Sequence, residues 1–126
     1  MIDLNDSTLE GLNVGIDIIE IERFRNKPLN NENASFYHSI FTESELSYCT
    51  KYSDPYPHLA GIFAAKESIL KCLTTPIEMI EIEISHSRDG KPYVAAQAKI
   101  KATRARISIA HTRSIAVAIA LHVHSS

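Results

Sequence analysis

From position 115 to 123 the chain alternates with a period of two. Ile115, Val117, Ile119, Leu121 and Val123 stand on one side, and Ala116, Ala118 and Ala120 on the other. Successive side chains of an extended strand point to opposite faces, so this segment predicts a strand with one bulky apolar face and one nearly bare face. A bare face lets a neighbour approach closely, and either a helix or another subunit is expected there. Residues 58–73 supply a helix: Leu59, Ile62, Phe63, Ile69, Leu70 and Leu73 form one broad apolar stripe at helical periodicity.

The other segments extend this two-layer plan. Residues 12–17 alternate as a short strand, after which Ile18, Ile21 and Phe24 recur at helical spacing among charged neighbours. Pro28 and the asparagines of 26–33 predict a loop. Thr42 and Glu45 have the spacing of a capping box, which opens a helix through about Tyr52 until Asp54-Pro-Tyr-Pro57 breaks it. Residues 80–85 alternate as a strand, Arg88-Asp-Gly-Lys-Pro92 is a turn, and a return strand runs from Tyr93 to about Lys99. A further strand at 106–110 turns at 111–113 into the last one. Helices followed by mostly antiparallel strands make an α+β domain. Residues 1–11 read as a loose leader and residues 12–126 as one domain.

Composition narrows the function classes. A chain of 126 residues with a formal charge of -2 lacks the basic excess of a general nucleic-acid binder. No apolar run reaches the roughly 20 residues of a membrane helix, and the first residues lack the basic and apolar regions of a secretory signal. Cys49 and Cys72, isolated from each other, are expected as buried, reduced thiols in a cytoplasm.

Several residues carry chemistry on one reading and only structure on another. Ala60, Ala64, Glu67 and Lys71 fall on a narrow helix stripe whose alanines leave space in front of a carboxylate and an ammonium. Glu67 and Lys71 are also an ordinary i,i+4 ion pair. Lys66 projects into the apolar stripe, so either its ammonium snorkels out or it faces a ligand or subunit. Asp17, with Glu20 three residues on, has a helix-capping pattern. His111 suits a turn, and His122 and His124 share a strand face near the chain end, where solvated side chains are expected.

Taken together, five segments resemble the small holo-acyl carrier protein synthases, which are 4'-phosphopantetheinyl transferases. They are Gly15-Ile-Asp17 with Glu22-Arg-Phe24, Phe41-Thr-Glu-Ser-Glu-Leu46, Leu59-Ala-Gly-Ile-Phe-Ala-Ala-Lys-Glu-Ser-Ile-Leu-Lys71, Asp89-Gly-Lys-Pro92, and Ile107-Ser-Ile-Ala-His-Thr112. They occur in the family's order and span nearly all of 14–123. Gly-x-Asp alone is a weak signal; joined to Phe-Ala-Ala-Lys-Glu-Ser-x-x-Lys it is a strong one.

The resemblance implies the family's fold, with N-terminal helices packed on a mostly antiparallel sheet. It also implies transfer of the arm of coenzyme A to a serine of an apo acyl carrier protein, dependent on Mg2+, releasing adenosine 3',5'-bisphosphate. Asp17 and Glu67 are the implied metal ligands, and Glu67 and Lys71 the catalytic pair, the general base being open between Glu67 and a water. Lys66, Lys71, Asp89, Gly90, Lys91, Pro92, His111 and Thr112 are implied to contact coenzyme A, the last two from a neighbouring subunit. Arg23, Phe24 and Arg25 are implied to meet the acidic carrier, in a homotrimer with sites between subunits. Fatty-acid, polyketide and peptide carriers all remain open. The chain departs from the family at Ile62, commonly an arginine, and at Thr74-Thr-Pro-Ile77, usually a glycine-bearing turn. A non-catalytic carrier-binding scaffold and a metal-dependent phosphohydrolase are the competing readings.

Overall fold

The computed structural model describes residues 10–95 and 104–123. Strands β1 (Leu12–Glu20) and β5 (Ile115–Val123) pair antiparallel along their whole length, Leu12 opposite Val123 and Glu20 opposite Ile115. β4 (Arg106–His111) pairs antiparallel with the other edge of β5, giving the order β1-β5-β4. A separate hairpin joins β2 (Ile84–His86) to β3 (Pro92–Val94). The helices are α1 (Glu22–Arg25), α2 (Ala34–Ile40), α3 (Glu43–Thr50) and α4 (Tyr56–Cys72). The domain is α+β, as its sequence pattern implies.

The alanine face is covered by α4. Ala116, Ala118 and Ala120 are buried, and Cys72 Sγ lies 3.4 Å from the Ala120 carbonyl oxygen it donates to. Contact on β1 is tighter still: a Cβ added to Gly15 would stand 2.0 Å from the backbone oxygen of Ser68. Small residues at these positions let helix and sheet backbones approach, and the Ile and Leu stripe of α4 then fills the core beside them. Of the two expected occupants of the alanine face, the helix is the one present.

The bulky face of the sheet is open instead. Val14, Ile16 and Ile18 of β1 are 56%, 59% and 66% exposed, and across the ladder Ile119, Leu121 and Val123 of β5 are also exposed.

Three sequence expectations change, and one span without an expectation gains an element. β1 runs on to Glu20, so Ile18 points outward from a strand and Asp17 caps no helix; pairing of Ile18 with Val117 and of Glu20 with Ile115 outweighs the helical spacing. The alternating stretch 80–85 begins with a 3₁₀ turn, Met79–Glu81, whose Glu78 N–H donates to Glu81 Oε2 at 2.7 Å, and becomes strand only at Ile84. The span 34–41, which carries no assignment from sequence, holds α2; Phe36, Tyr37, Ile40 and Phe41 pack inward, and the Tyr37 hydroxyl donates to the Lys27 carbonyl at 2.6 Å. His122 is buried on the alanine side, not solvated. The return strand is seen over 92–94; its continuation to 99, the first nine residues of the leader and His124 lie outside the described residues.

Candidate active site

α4 carries one set of chemical groups on each flank. The geometry fixes which set lies where. Gly15 meets Ser68 and the Cβ of Lys71, while Phe24, just beyond the end of β1, packs edge-on against Phe63 with ring centres 5.5 Å apart. β1 therefore runs antiparallel to α4, and Asp17, two residues past Gly15, lies beside the helical turn that holds Glu67. Asp17 points to the helix side of the sheet because it shares the face of Gly15 and Ile19. It is one-fifth exposed, and Lys71 Nζ stands 3.4 Å from its Oδ1 and donates to the Ile16 carbonyl at 2.7 Å. Glu67 is half-buried on the same stripe as Lys71. Two carboxylates and an ammonium thus share the β1 flank, with one side open to solvent.

The opposite flank faces β4. A Cβ on Gly61 would approach Ile109 Cγ2 to 3.0 Å, and His58, Gly61 and Ile62 line a cavity with Ile109 and His111. The hairpin turn closes its rim. Gly90 has φ +86°, a backbone region that favours glycine. Gly90 N–H donates to Ser87 O at 2.9 Å, Ser87 N–H donates to Lys91 O at 2.9 Å, and the Ser87 hydroxyl donates to Asp89 Oδ1, which holds that carboxylate below its ordinary range. Asp89 and Lys91 are exposed, and Pro92 and Gly90 line the cavity. Thr112 Oγ1 accepts from the N–H groups of Ser114 and Ile115, which shapes the turn after His111.

β1 and β4 are the two edges of the three-stranded sheet. Asp17 pairs with Ala118, which pairs with Ile109, so the carboxylate edge and the histidine edge are separated by two strand spacings, about 10 Å, with α4 lying over the gap. Within one chain the two groups do not converge.

Two site expectations fail on burial. Lys66 is inaccessible: its Nζ donates to Glu45 Oε1 at 2.5 Å and to the Ile40 carbonyl at 2.6 Å, and neither charged side chain is exposed. It ties α4 to α3 and the end of α2 and cannot meet coenzyme A. Phe24 is likewise fully buried, in ring contact with Phe36, Tyr37, Phe41 and Phe63, so it holds α1 against the core and offers no surface to a carrier. Its neighbours differ. Arg23 is exposed, with its guanidinium 5.1 Å from the Phe63 ring centre. Arg25 forms a two-pronged pair with Asp54 at 3.0 and 2.7 Å, which lowers the Asp54 carboxyl and raises the guanidinium.

Sequence reasoning passed over His58, His86 and Tyr48. Their cavity is assembled from α3, α4 and β2, and no short-range pattern links them.

A family model described as the 4'-phosphopantetheinyl transferase superfamily matches residues 13–120. The holo-[acyl-carrier-protein] synthase of Caldanaerobacter subterraneus subsp. tengcongensis is 41% identical over 120 residues, covering 87% of this chain and 93% of that protein. That of Chlorobaculum tepidum is 39% identical over 114 residues, covering 87% and 97%. Among solved structures, a Bacillus anthracis holo-(acyl-carrier-protein) synthase in complex with CoA (3',5'-ADP) superposes with a TM-score of 0.73 at 28% identity, covering 90% of this chain and 96% of that one. The Helicobacter pylori synthase in complex with coenzyme A gives 0.72 at 26% identity, covering 88% and 99%.

Proposed function

Since the chain belongs to the 4'-phosphopantetheinyl transferase superfamily, we propose that it moves the 4'-phosphopantetheine arm of coenzyme A onto a serine of an apo acyl carrier protein. The serine Oγ–phosphorus bond forms, the diphosphate bridge breaks, and adenosine 3',5'-bisphosphate leaves. One observation carries this reading: β1 delivers Asp17 to the flank of α4 that presents Glu67, with Lys71 in contact.

The carboxylate pair fits Mg2+. Among the described residues no group of three or more His, Cys, Asp and Glu side chains is disposed to hold a metal, so an all-protein cage is absent there. Mg2+ instead favours one or two carboxylates, completing its shell with waters and phosphate oxygens, and Asp17 with Glu67 match that demand. The ion would supply neutralisation of the diphosphate charge. Phosphoryl transfer rests chiefly on positioning and on such charge balance. Lys71, tethered to the Ile16 carbonyl, is held where its ammonium can take up charge on the leaving diphosphate oxygen. Asp89, Gly90, Lys91 and Pro92 form the nucleotide-side loop, with His111 and Thr112 beside it.

Placing Asp17 and His111 on opposite sheet edges favours a site completed by a second copy. A ligand that reaches both groups meets the β1 edge of one subunit and the β4 edge of the next. The open apolar sheet face supports the same assembly. Val14, Ile16, Ile18, Ile119, Leu121 and Val123 make a contiguous patch of the kind that marks an interface, and a homotrimer would cover it. Arg23, exposed beside α4, offers positive charge to an acidic carrier.

The deciding experiment mixes the protein with an apo carrier, coenzyme A and Mg2+, then weighs the carrier. A gain of one phosphopantetheine that disappears with chelator is expected. An unchanged carrier, with coenzyme A hydrolysed or untouched, overturns the reading.

A further inference from the structure

The β2–β3 hairpin stands apart from the three-stranded sheet. Among the described residues it has three paired positions, Ile84 with Val94, Ser85 with Tyr93 and His86 with Pro92. Two strands alone are at best marginal in water, so the hairpin takes its place from whatever holds it. Its turn is tied within itself: Ser87 N–H donates to Lys91 O at 2.9 Å, and Ser87 Oγ accepts from Lys91 N–H at 3.2 Å. The Asp89–Pro92 loop therefore moves as one piece with the strands, and the root of the hairpin decides where it stands.

That root is held by the start of α3. The Thr42 hydroxyl donates to Glu83 Oε1 at 2.7 Å, and Glu45 Oε2 accepts the Ile84 N–H at 2.7 Å. Glu45 does more than its own helix requires. Its Oε1 completes the capping box by taking the Thr42 N–H at 2.9 Å, and the same oxygen takes Lys66 Nζ at 2.5 Å. A capping box uses one oxygen of the carboxylate; the second is committed to β2. Ile84 is buried, so without that carboxylate its N–H would be a buried donor with no acceptor. Lys66 belongs to α4 and precedes Glu67. One buried carboxylate thus joins the hairpin, α3 and the helix that carries Glu67.

We infer that Glu45 is a positioning residue for coenzyme A: by holding the Ile84 amide and Lys66 on one carboxylate, it sets the spacing between the Asp89–Pro92 loop and α4. The inference rests on the reading given above, in which that loop meets the nucleotide and α4 presents Glu67 to the diphosphate. A ligand that spans two elements binds well when their spacing is fixed in advance, and a misplacement of about 1 Å far from the reacting atoms is enough to matter. Glu45 is fully buried, so it acts through Ile84 and not by touching the ligand.

The test measures binding of coenzyme A to the whole protein by calorimetry, with amide hydrogen exchange followed over residues 83–94 and across α4. Two double variants remove the ion pair alike and differ at the acceptor. Lys66→Met with Glu45→Gln keeps an oxygen for Ile84; Lys66→Met with Glu45→Leu does not. Loss of that one bond should weaken coenzyme A roughly 5- to 10-fold in the second and less than about 2-fold in the first. Hairpin exchange should speed up relative to α4 in the second only, while kcat at saturating coenzyme A stays within about 2-fold of wild type. Tyr37→Phe, which removes the hydroxyl that bonds the Lys27 carbonyl, controls for lost stability and should leave coenzyme A binding unchanged. Should the second double variant not fold, Glu83→Ala cuts the other tie at a half-buried position and should weaken coenzyme A about 3-fold; unchanged binding there overturns the inference. Equal binding by the two double variants, or an equal loss in Tyr37→Phe, also overturns it and leaves the transferase reading intact. A wild type that binds no coenzyme A overturns both.

Discussion

Lys66 Nζ lies 2.5 Å from Glu45 Oε1, and neither side chain reaches solvent. Glu45 is at once the capping-box residue of α3, taking the Thr42 N–H at 2.9 Å, and the acceptor for the Ile84 N–H of β2 at 2.7 Å. Burial pushes the Glu45 carboxyl up and the Lys66 ammonium down, and each partner opposes the other's shift. Removing one member strands the other, at a cost of about 3–5 kcal/mol. Lys66→Met should therefore lower stability by that order in urea unfolding. Adding Glu45→Gln, which retains an acceptor for Ile84, should recover part of the loss. A double variant no better than Lys66→Met would show that the charge pairing is not what matters.

Gly15→Ala tests the closest backbone approach. The added methyl would stand 2.0 Å from the Ser68 carbonyl oxygen, and because that atom is backbone it cannot swing aside. Overpacking of this kind costs typically 1–3 kcal/mol or more. β1 and α4 should separate, moving Asp17 off Glu67, so transfer should fall further than the melting temperature alone accounts for. Wild-type turnover in this variant would mean that the Asp17–Glu67 spacing is not critical.

Asp17→Ala and Glu67→Ala should each reduce transfer by at least about 10²-fold, as loss of a principal electrostatic contact does. Circular dichroism and unfolding should change little, because both side chains are partly exposed and neither is in the apolar core. Carrier mass spectrometry reads the outcome. Near-normal turnover in either variant would refute the metal-ligand assignment.

A site shared between subunits makes a prediction by mixing. Asp17→Ala and His111→Ala proteins, each weak alone, should regain activity when unfolded together and refolded as mixed oligomers, since some interfaces then hold both intact edges. Ile16→Lys, which charges the open sheet face, should yield monomers in sedimentation equilibrium and lose transfer. No regain on mixing, or an active monomeric variant, would place the whole site in one chain.

Arg23→Glu should raise KM for the carrier by roughly 10-fold through reversed charge at the docking surface, leaving KM for coenzyme A within about 2-fold. Arg25→Glu tests a different role, because it breaks the pair with Asp54. Equal losses for both substrates in Arg23→Glu would remove that residue from carrier recognition.

Local chemistry was legible where it is written in adjacent residues. The Thr42–Glu45 capping box appears with both reciprocal bonds, 3.3 and 2.9 Å, and Asp-Gly gives the turn between β2 and β3. The period-two stretches were readable as alternation but not as length: 14, 16 and 18 continue a strand while 18, 21 and 24 begin a helix, and only pairing with β5 decides between them. α2 has a signal, the apolar set at 36, 37, 40 and 41, but the span 34–41 carries no assignment from sequence.

Sequence by itself determined the α+β order, the main helix, the alanine face that demands close packing, and the residues through which the family is identified. Periodicity and capping act over a few neighbouring residues, so a linear reading contains them. Tertiary structure alone decided that Lys66 and Phe24 turn inward, that the bulky face and not the alanine face stays open, and that Asp17 and His111 stand on opposite edges. Burial and strand order are fixed by contacts between residues far apart in the chain, and no local pattern encodes which of two apolar faces the one long helix will cover.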